Sequence, residues 1–398
     1  MENHTFTILG AGIAGLSTAI ALRQLGIEAE IYEAAHHLEP VGAGIGIAAN
    51  GVNALRRLGV EDALRPYSYP LSFLAIYDPR GMPILRIGTE EQEARHGSAQ
   101  LAVHRAHLQM SLLARLDPDR VKVNKRAVEA SPSPDGYAIR FADGSRIRTK
   151  YLIVADGIHS VVRQAGWPGS VPRYAGYQCW RGIADMSDLG IHEASEIWGP
   201  AGRVGMVPMT ENRLYWFACI NGRQDDPVLR GFTREDLLRH FRGYTRLFNE
   251  ILHRTPGDRI IRSEIMDIRP LDHFAKGNML LVGDAAHAMT PNLGQGACQA
   301  LEDAIVLGEC LSENSNVAQA FRAFERQRLE RTRRIMLHSR RLGAWAQLSS
   351  PILCHMRDMI FRLLPNSVHQ RQLDWLHAPG FNTPLPDAIP ADAAAYAT

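Results

Sequence analysis

A short apolar run, Phe6 to Leu9, passes directly into Gly10-Ala11-Gly12-Ile13-Ala14-Gly15. A helix-period segment then ends near Gly26, and a second apolar run, Ala29 to Tyr32, closes on Glu33. No other stretch constrains the fold as much. Strand, tight turn, helix and second strand in this order form one unit of a parallel sheet. Gly10 permits the turn, Gly12 lets backbone approach a pyrophosphate, and Gly15 lets the helix pack closely on the strand. The helix N-terminus faces the phosphates, and Glu33, about 20 residues on, accepts from a ribose hydroxyl. A plain turn explains one glycine but not three plus the acid. The unit predicts a dinucleotide site.

The remainder of the chain must complete that sheet. At 398 residues it exceeds one compact core, so two domains, or one with a large insertion, are expected. With 45% hydrophobic and 22% charged residues and a net charge of +2, composition argues for no acidic partner. The arginines of Glu330 to Arg341 are spaced along a helix and read as a solvated face, so no nucleic acid is expected. Neither a secretory leader nor an apolar run of roughly 18 residues is visible. Five scattered cysteines without a Cys-x-x-Cys fit free thiols in a cytoplasmic protein. His104 and His107 could share a helix face, but nothing completes a ligand set, and no metal is expected.

The strand and helix signals interrupt one another. After the opening unit come a glycine-rich loop, Val41 to Gly46, and a helix ending near Leu58. Leu101 to Leu116 reads as a strand turning into a helix, and Val121 to Lys150 as a small β-meander. Tyr151 to Gln164 returns to a buried strand that ends on Asp156-Gly157. From about Tyr174 to Asp267 aromatics rise and short strands are expected to predominate. Asn278 to Leu311 supplies another buried strand, a loop and a long helix. Helix continues to about Arg362, and the last 20 residues are Pro/Ala-rich and read as loosely held. The expected architecture is an α/β protein in which residues 1–70, 101–170 and 267–345 build an interrupted Rossmann-type domain. Residues 71–100 and 171–266 build a β-sheet substrate domain, and 346–398 a C-terminal helical segment and tail.

Gly283-Asp284-Ala285-Ala286-His287 stands where the run Met279 to Val282 ends, the place where open α/β sheets bind ligands. Pro291 and Gly294-Gln295-Gly296 then lead into a helix whose N–H groups can stabilise negative charge. Alone, Asp284 reads equally well as a helix cap. The N-terminal glycine motif, Asp156-Gly157 and GDAAHAMTPNLGQG, in this order, resemble the FAD-dependent class A aromatic hydroxylases, the group that includes p-hydroxybenzoate and salicylate hydroxylases. The resemblance covers residues 1 to about 345. It implies a p-hydroxybenzoate hydroxylase-like fold, with FAD held by Gly10, Gly12, Ala14, Gly15, Glu33, Gly44, Arg105, Gln109, Asp156, Gly157, Gly283, Asp284, Pro291, Gly294, Gln295 and Gly296. In the family Gly283-Asp284 meets ribityl and pyrophosphate, Asp156-Gly157 serves FAD and the nicotinamide donor, and Gly42 to Gly46 passes the flavin ring. The absence of a second Gly-x-Gly-x-x-Gly matches the family, which binds NAD(P)H without one.

Among shorter bacterial members, the lines RYAGYQCWRGI and GRVGMVPMTENRLYWFACI are similar in texture to urate hydroxylases, 6-hydroxynicotinate 3-monooxygenases and salicylate-type enzymes. Arg203 and Tyr215 fall where the urate enzymes carry a catalytic arginine and tyrosine. The departure at Gln178-Cys179-Trp180-Arg181 puts a purine substrate in question. The resemblance implies an NAD(P)H- and O2-dependent hydroxylase of an aromatic or heteroaromatic small molecule, acting through a C4a-hydroperoxyflavin. Arg203, Tyr215 and Arg181 would anchor and polarise the substrate, with His287 a further candidate for moving a proton. Two alternatives stay open: an epoxidase or hydroxylase of a bulky lipophilic natural product, and a non-catalytic FAD-binding redox sensor. A monomer or homodimer is expected. The amphipathic stretch Ala344 to Pro365 is expected to pack on its own domain rather than on a membrane.

Overall fold

The computed structural model describes residues 2–38, 43–186, 190–191 and 193–381. Val41 and Gly42 of the glycine-rich loop, and the tail beyond Phe381, lie outside the described residues. Strands β1 (Glu2–Leu9) and β2 (Ala29–Tyr32) flank the helix Ile13–Gln24, and β3 (Gly44–Ile47) leads into the helix Ala49–Arg57. β4 (Ser68–Leu71), β5 (Phe73–Tyr77), β6 (Pro83–Gly88) and β7 (Gln100–His104) follow, with β7 running into the helix Arg105–Leu113. The meander is β8 (Val121–Lys122), β9 (Ala127–Ser133), β10 (Gly136–Phe141) and β11 (Arg146–Val154). β12 (Arg173–Asp185), β13 (Ala194–Gly199), β14 (Gly202–Pro208) and β15 (Arg213–Asn221) come next. After a helical stretch, β16 (Ile261–Asp267), β17 (Ala275–Lys276) and β18 (Met279–Leu281) lead to the helices Gly296–Glu313, Val317–Ala346, Pro351–Leu363 and Asn366–His377.

The first sheet runs β17-β18-β11-β1-β2-β8, with β10 and β9 paired beyond β11. Its centre, β18, β11, β1 and β2, is parallel. Parallel strands are covered on both faces, which is why their ends read as continuous apolar runs: Phe6, Ile8, Leu9, Leu152 to Val154 and Met279 to Val282 are all buried. β1 begins four residues earlier than the apolar run because Glu2, Asn3 and His4 pair with Ile147 to Thr149, partners that periodicity cannot see. The helix Ile13–Gln24 rests directly on this strand. A Cβ on Gly15 would lie 1.9 Å from the Gly10 carbonyl oxygen, so any larger residue would push helix and turn apart.

The second sheet runs β16-β12-β15-β14-β13-β5-β6, and β3, β7 and β4 form a third, small one. Residues opposite one another share a face. The outer face of the second sheet, with Trp180, Trp216, Val204 and Met206, is buried under Leu237, Phe241, Phe248, Ile251 and Leu252. These come from the helix Arg234–His240 with its C-cap Phe241 and from the helix Arg246–Arg254, in a stretch where short strands were expected to predominate. The helix signal was present: Thr233 and Asp236 form a capping box just before Leu237 and Phe241.

The sheets and helices meet over a fully buried polar hub. Asp303 accepts from Gly283 N–H at 2.8 Å, from Arg328 Nε at 2.7 Å, and pairs with His287 Nε2 at 2.7 Å. Arg328 also donates to Glu302 at 2.5 Å, and Glu302 accepts from Asn50 and Arg331. Burial alone would push Asp303 up, yet the His287 and Arg328 partners hold it below its ordinary value. Removing one member of such a cluster strands the others in low dielectric. Arg328→Leu is therefore expected to destabilise the protein by about 3–5 kcal/mol, measured as a lowered urea midpoint with an unchanged slope.

Candidate active site

The four central strands end at one edge, and each hands over a motif. β1 gives Gly10 to Gly15, β2 gives Glu33, β11 gives Asp156-Gly157 and β18 gives Gly283-Asp284. Gly10 N–H donates to Tyr32 O, Ala155 N–H to Leu9 O and Val282 N–H to Val154 O, so the motifs are held side by side by backbone bonds. Gly283 sits at φ 57° with its missing Cβ 2.5 Å from Ala14 Cβ; only glycine lets these two motifs touch.

The edge opens into a cleft of about 630 Å³ lined by Gly12, Ile13, Glu33, Arg105 and Gln109, together with Ala35 to Leu38. Gly12 has nothing within 4 Å of where a Cβ would stand, unlike Gly10 and Gly15, so the cleft side of the turn has room for an external group. No side chain caps the helix Ile13–Gln24, and its first turn has no acid, leaving its N–H groups able to meet an anion. Glu33 Oε2 accepts from Ala11 N–H at 2.7 Å and Oε1 from Ala35 N–H at 2.8 Å; each oxygen keeps a lone pair for a ligand hydroxyl. Gln109 donates to Ala11 O at 2.9 Å, bracing the same turn.

Asp156 lies deeper, and its Oδ1 has no hydrogen-bond partner. Burial pushes its carboxyl up to about 6. An unpartnered carboxylate oxygen beside an open turn fits the hydroxyl-rich portion of a dinucleotide. Sequence reading missed Arg163, which is fully buried and donates to the carbonyls of Ile158 and Ser170, with Gly157 O and Ala285 O at 3.5 and 3.4 Å. It ties the Asp156 turn to the Asp284 turn without a carboxylate in its hydrogen-bond shell, a role with no local pattern. Pro291 opens a short turn, Gly294 follows at φ 62°, and the helix Gly296–Glu313 starts without a side-chain cap. Gln295 turns inward to Asn50 and Gln299, so only its backbone faces the loop. His287 is buried against Asp303 and belongs to the hub.

The inner face of the second sheet carries Trp198, Arg203, Cys219 and Cys179 in a row across four strands. Gly205, Phe217 and Arg181 form the next row, and Tyr215 stands beyond. Gly44 of β3 abuts this face: its Cβ would fall 2.5 Å from Tyr215 Cβ. Arg203, 2% exposed, donates from Nη2 to Asn292 Oδ1 at 2.8 Å and lies 5.4 Å over the Phe217 ring. Its Nη1 is 3.7 Å from Glu196, but neither Nε nor Nη1 has a hydrogen-bond partner. Tyr177 donates to the same Asn292 oxygen at 3.0 Å, and Asn292 Nδ2 donates to Thr290 and Ser339. Asn292 thus joins the sheet to the loop before Gly294, and sequence reading missed it. Burial pushes the Tyr215 phenol well above its ordinary value, leaving it a hydrogen-bond donor at neutral pH. A hydrogen bond from Cys219, with the charges of Arg181 and Arg203, holds the Cys179 thiol below its ordinary value.

A glycine-rich parallel-sheet edge beside a second sheet that carries a buried guanidinium suits a two-layer nucleotide-cofactor enzyme. The FAD binding domain profile matches residues 3–339, and the chain belongs to that family. Aurachin C monooxygenase/isomerase of Stigmatella aurantiaca is 36% identical over 365 residues, covering 90% of this chain and 94% of its own. The 2-heptyl-3-hydroxy-4(1H)-quinolone synthase of Pseudomonas aeruginosa is 31% identical over 372 residues, covering 92% and 96%. The crystal structure of Klebsiella pneumoniae HpxO with FAD and uric acid superposes with a TM-score of 0.86 at 31% identity, covering 94% of this chain and 97% of that one. The chain is an FAD-dependent monooxygenase of the class A type, with the p-hydroxybenzoate hydroxylase-like fold.

Because the Asp156 carboxyl is raised from near 3.9 unfolded to about 6 folded, its ionisation opposes folding above pH 6. That penalty is relieved as pH falls from 6 toward 4. In FAD-stripped protein, Asp156→Asn is expected to be more stable than wild type by about 2–3 kcal/mol near pH 7.5. The difference should vanish near pH 4, as read by urea unfolding across that range.

Proposed function

We propose that this monooxygenase hydroxylates a bicyclic, ionisable heteroaromatic ring of the quinolone type. The observation that carries the ionisable-ring part of the reading is Arg203: buried, oriented by Asn292, with Nε and Nη1 unfilled. A buried guanidinium with free donors suits an oxyanion on an electron-rich ring. Among the relatives named above, the heptyl-quinolone synthase supports an alkyl-bearing quinolone, while the uric acid held by HpxO supports the purine that the test below also offers. Bound FAD, reduced by NAD(P)H and supplied with O2, provides the electrophilic oxygen. We assign FAD to the sheet-edge motifs, with Glu33 and Asp156 on hydroxyls, and Gly12, Gly283-Asp284 and the Gly294–Gly296 backbone along its phosphates and ring.

The chain's own residues do three things in this reading. Arg203 and Arg181 hold the substrate in its anionic form, the better nucleophile. Tyr215, kept protonated by burial, donates to the ring oxygen and seats the ring against Gly44. Phe217 and the strands around it keep water from the reacting atoms. Residues 1–70, 101–170 and 267–345 form the FAD unit, and 71–100 with 171–266 the substrate unit.

The test is NADH and NADPH oxidation over 2-alkyl-4-quinolones, urate, salicylate and 6-hydroxynicotinate, with peroxide counted. Fast oxidation with little peroxide for the quinolones alone supports the reading; coupled turnover of urate alone overturns it. Arg203→Gln should retain FAD absorbance while kcat/KM for the coupled substrate falls roughly 100-fold, about 3 kcal/mol. Asn292→Ala should cost less, about tenfold, and mainly in kcat, because it removes orientation rather than charge.

A further inference from the structure

The helix Pro351–Leu363 packs with its polar side inward. Cys354, Arg357 and Asp358 are buried. Arg357 donates to Asp358 Oδ1 at 2.7 Å, to Trp345 O at 3.1 Å and to Trp198 O at 3.4 Å, and its guanidinium lies 5.2 Å over the Trp198 ring. The opposite face carries Ile352 at 72% exposure, Leu353, Met356 at 54%, Met359, Ile360 and Leu363 at 77%. Leu364, Val368 and Trp345 extend it. Positions 352, 353, 356, 359, 360 and 363 form one helical stripe. The segment does pack on its own domain, through its polar side rather than its apolar one. Turning the stripe inward would strip Arg357 of the Trp345 and Trp198 carbonyls that it meets in the present packing.

A continuous stripe of this size is more than scattered surface hydrophobics. Its rim decides what covers it. From residue 346 to 372 the exposed titratable groups are His355, Arg362 and Arg371, and the one carboxylate, Asp358, is buried on Arg357. Arg362 reaches Asp78 at 3.1 Å. With Arg362 paired to Asp78, Arg371 is the exposed cation of this stretch that makes no ion pair among the described residues, and an anionic surface complements it. Thirteen residues span about 20 Å, short of a bilayer core, and no described helix is long and apolar enough to cross one.

We infer that the helix Pro351–Leu363 docks the protein on an anionic lipid bilayer, lying flat with its apolar stripe among the acyl chains and His355 and Arg371 at the headgroups. Through Arg357 and Trp198 this helix is anchored to the strand that carries the end of the Arg203 row, so docking sets the substrate layer close to the membrane. The surface itself does not depend on the quinolone reading.

The test is flotation of the full FAD-loaded protein with phosphatidylglycerol/phosphatidylcholine vesicles, against phosphatidylcholine alone. Binding should require phosphatidylglycerol and weaken in high salt. The double variant Ile352→Glu, Leu363→Glu should lose at least about tenfold in partitioning, with thermal midpoint and FAD content unchanged. Failure of the wild type to float with either vesicle overturns the inference, as does equal binding of the variant. A wild-type dimer in light scattering that this variant dissociates, without vesicle binding, would assign the face to a second copy instead.

Discussion

Asp303 is the constraint on which the rest of the structure leans. One carboxylate, sealed in the core, holds the Gly283 N–H, His287 and Arg328 at once. The Gly283 bond sets the turn that projects Asp284 from β18. The Arg328 bond locks the helix Val317–Ala346 to the helix Gly296–Glu313, and Glu302 carries the lock on to Asn50 behind the β3 strand. Three segments far apart in sequence are thus positioned by groups too deeply buried to tolerate misalignment. The sheet edge can be a site because its back is rigid.

A second tie faces the first across the ligand space. Asn292 receives Arg203 and Tyr177 from the large sheet and returns its own amide to Thr290 and Ser339. Gly343 is small where it must be, since a Cβ there would lie 2.3 Å from Asn292 Nδ2. The loop leading to Gly294–Gly296 is therefore tied to the cation row of the opposite layer. One hydrogen bond from Arg203 to Asn292 thus links the proposed substrate anchor to the turn before the proposed flavin contact.

The C-terminal helix shows the same preference for buried ion pairs over apolar covering. Arg357 and Asp358 adjoin in sequence and point inward together, leaving the apolar stripe to the surface. The pattern of Ile, Leu and Met is equally amphipathic whichever side faces in; the deciding groups are the carbonyls of Trp345 and Trp198 that meet Arg357.

The sequence by itself determined the parallel centre and its motifs, because continuous apolar runs and forced glycines are local consequences of backbone geometry. β2 spans Ala29 to Tyr32 as the run predicts, β7 turns into its helix as predicted, and Gly10, Gly15 and Gly283 stand where no Cβ fits. Even the helices over the outer face had a local signal, in the Thr233–Asp236 cap. The tertiary structure alone decided which polar residues work together. Arg163, Asn292, Asp303 and Arg328 carry no spacing signature, and they matter through partners 16 to 122 residues distant. It also decided which side of the last long amphipathic helix meets solvent. Periodicity reports that two faces differ; only the packing of the whole chain supplies the acceptors that choose between them.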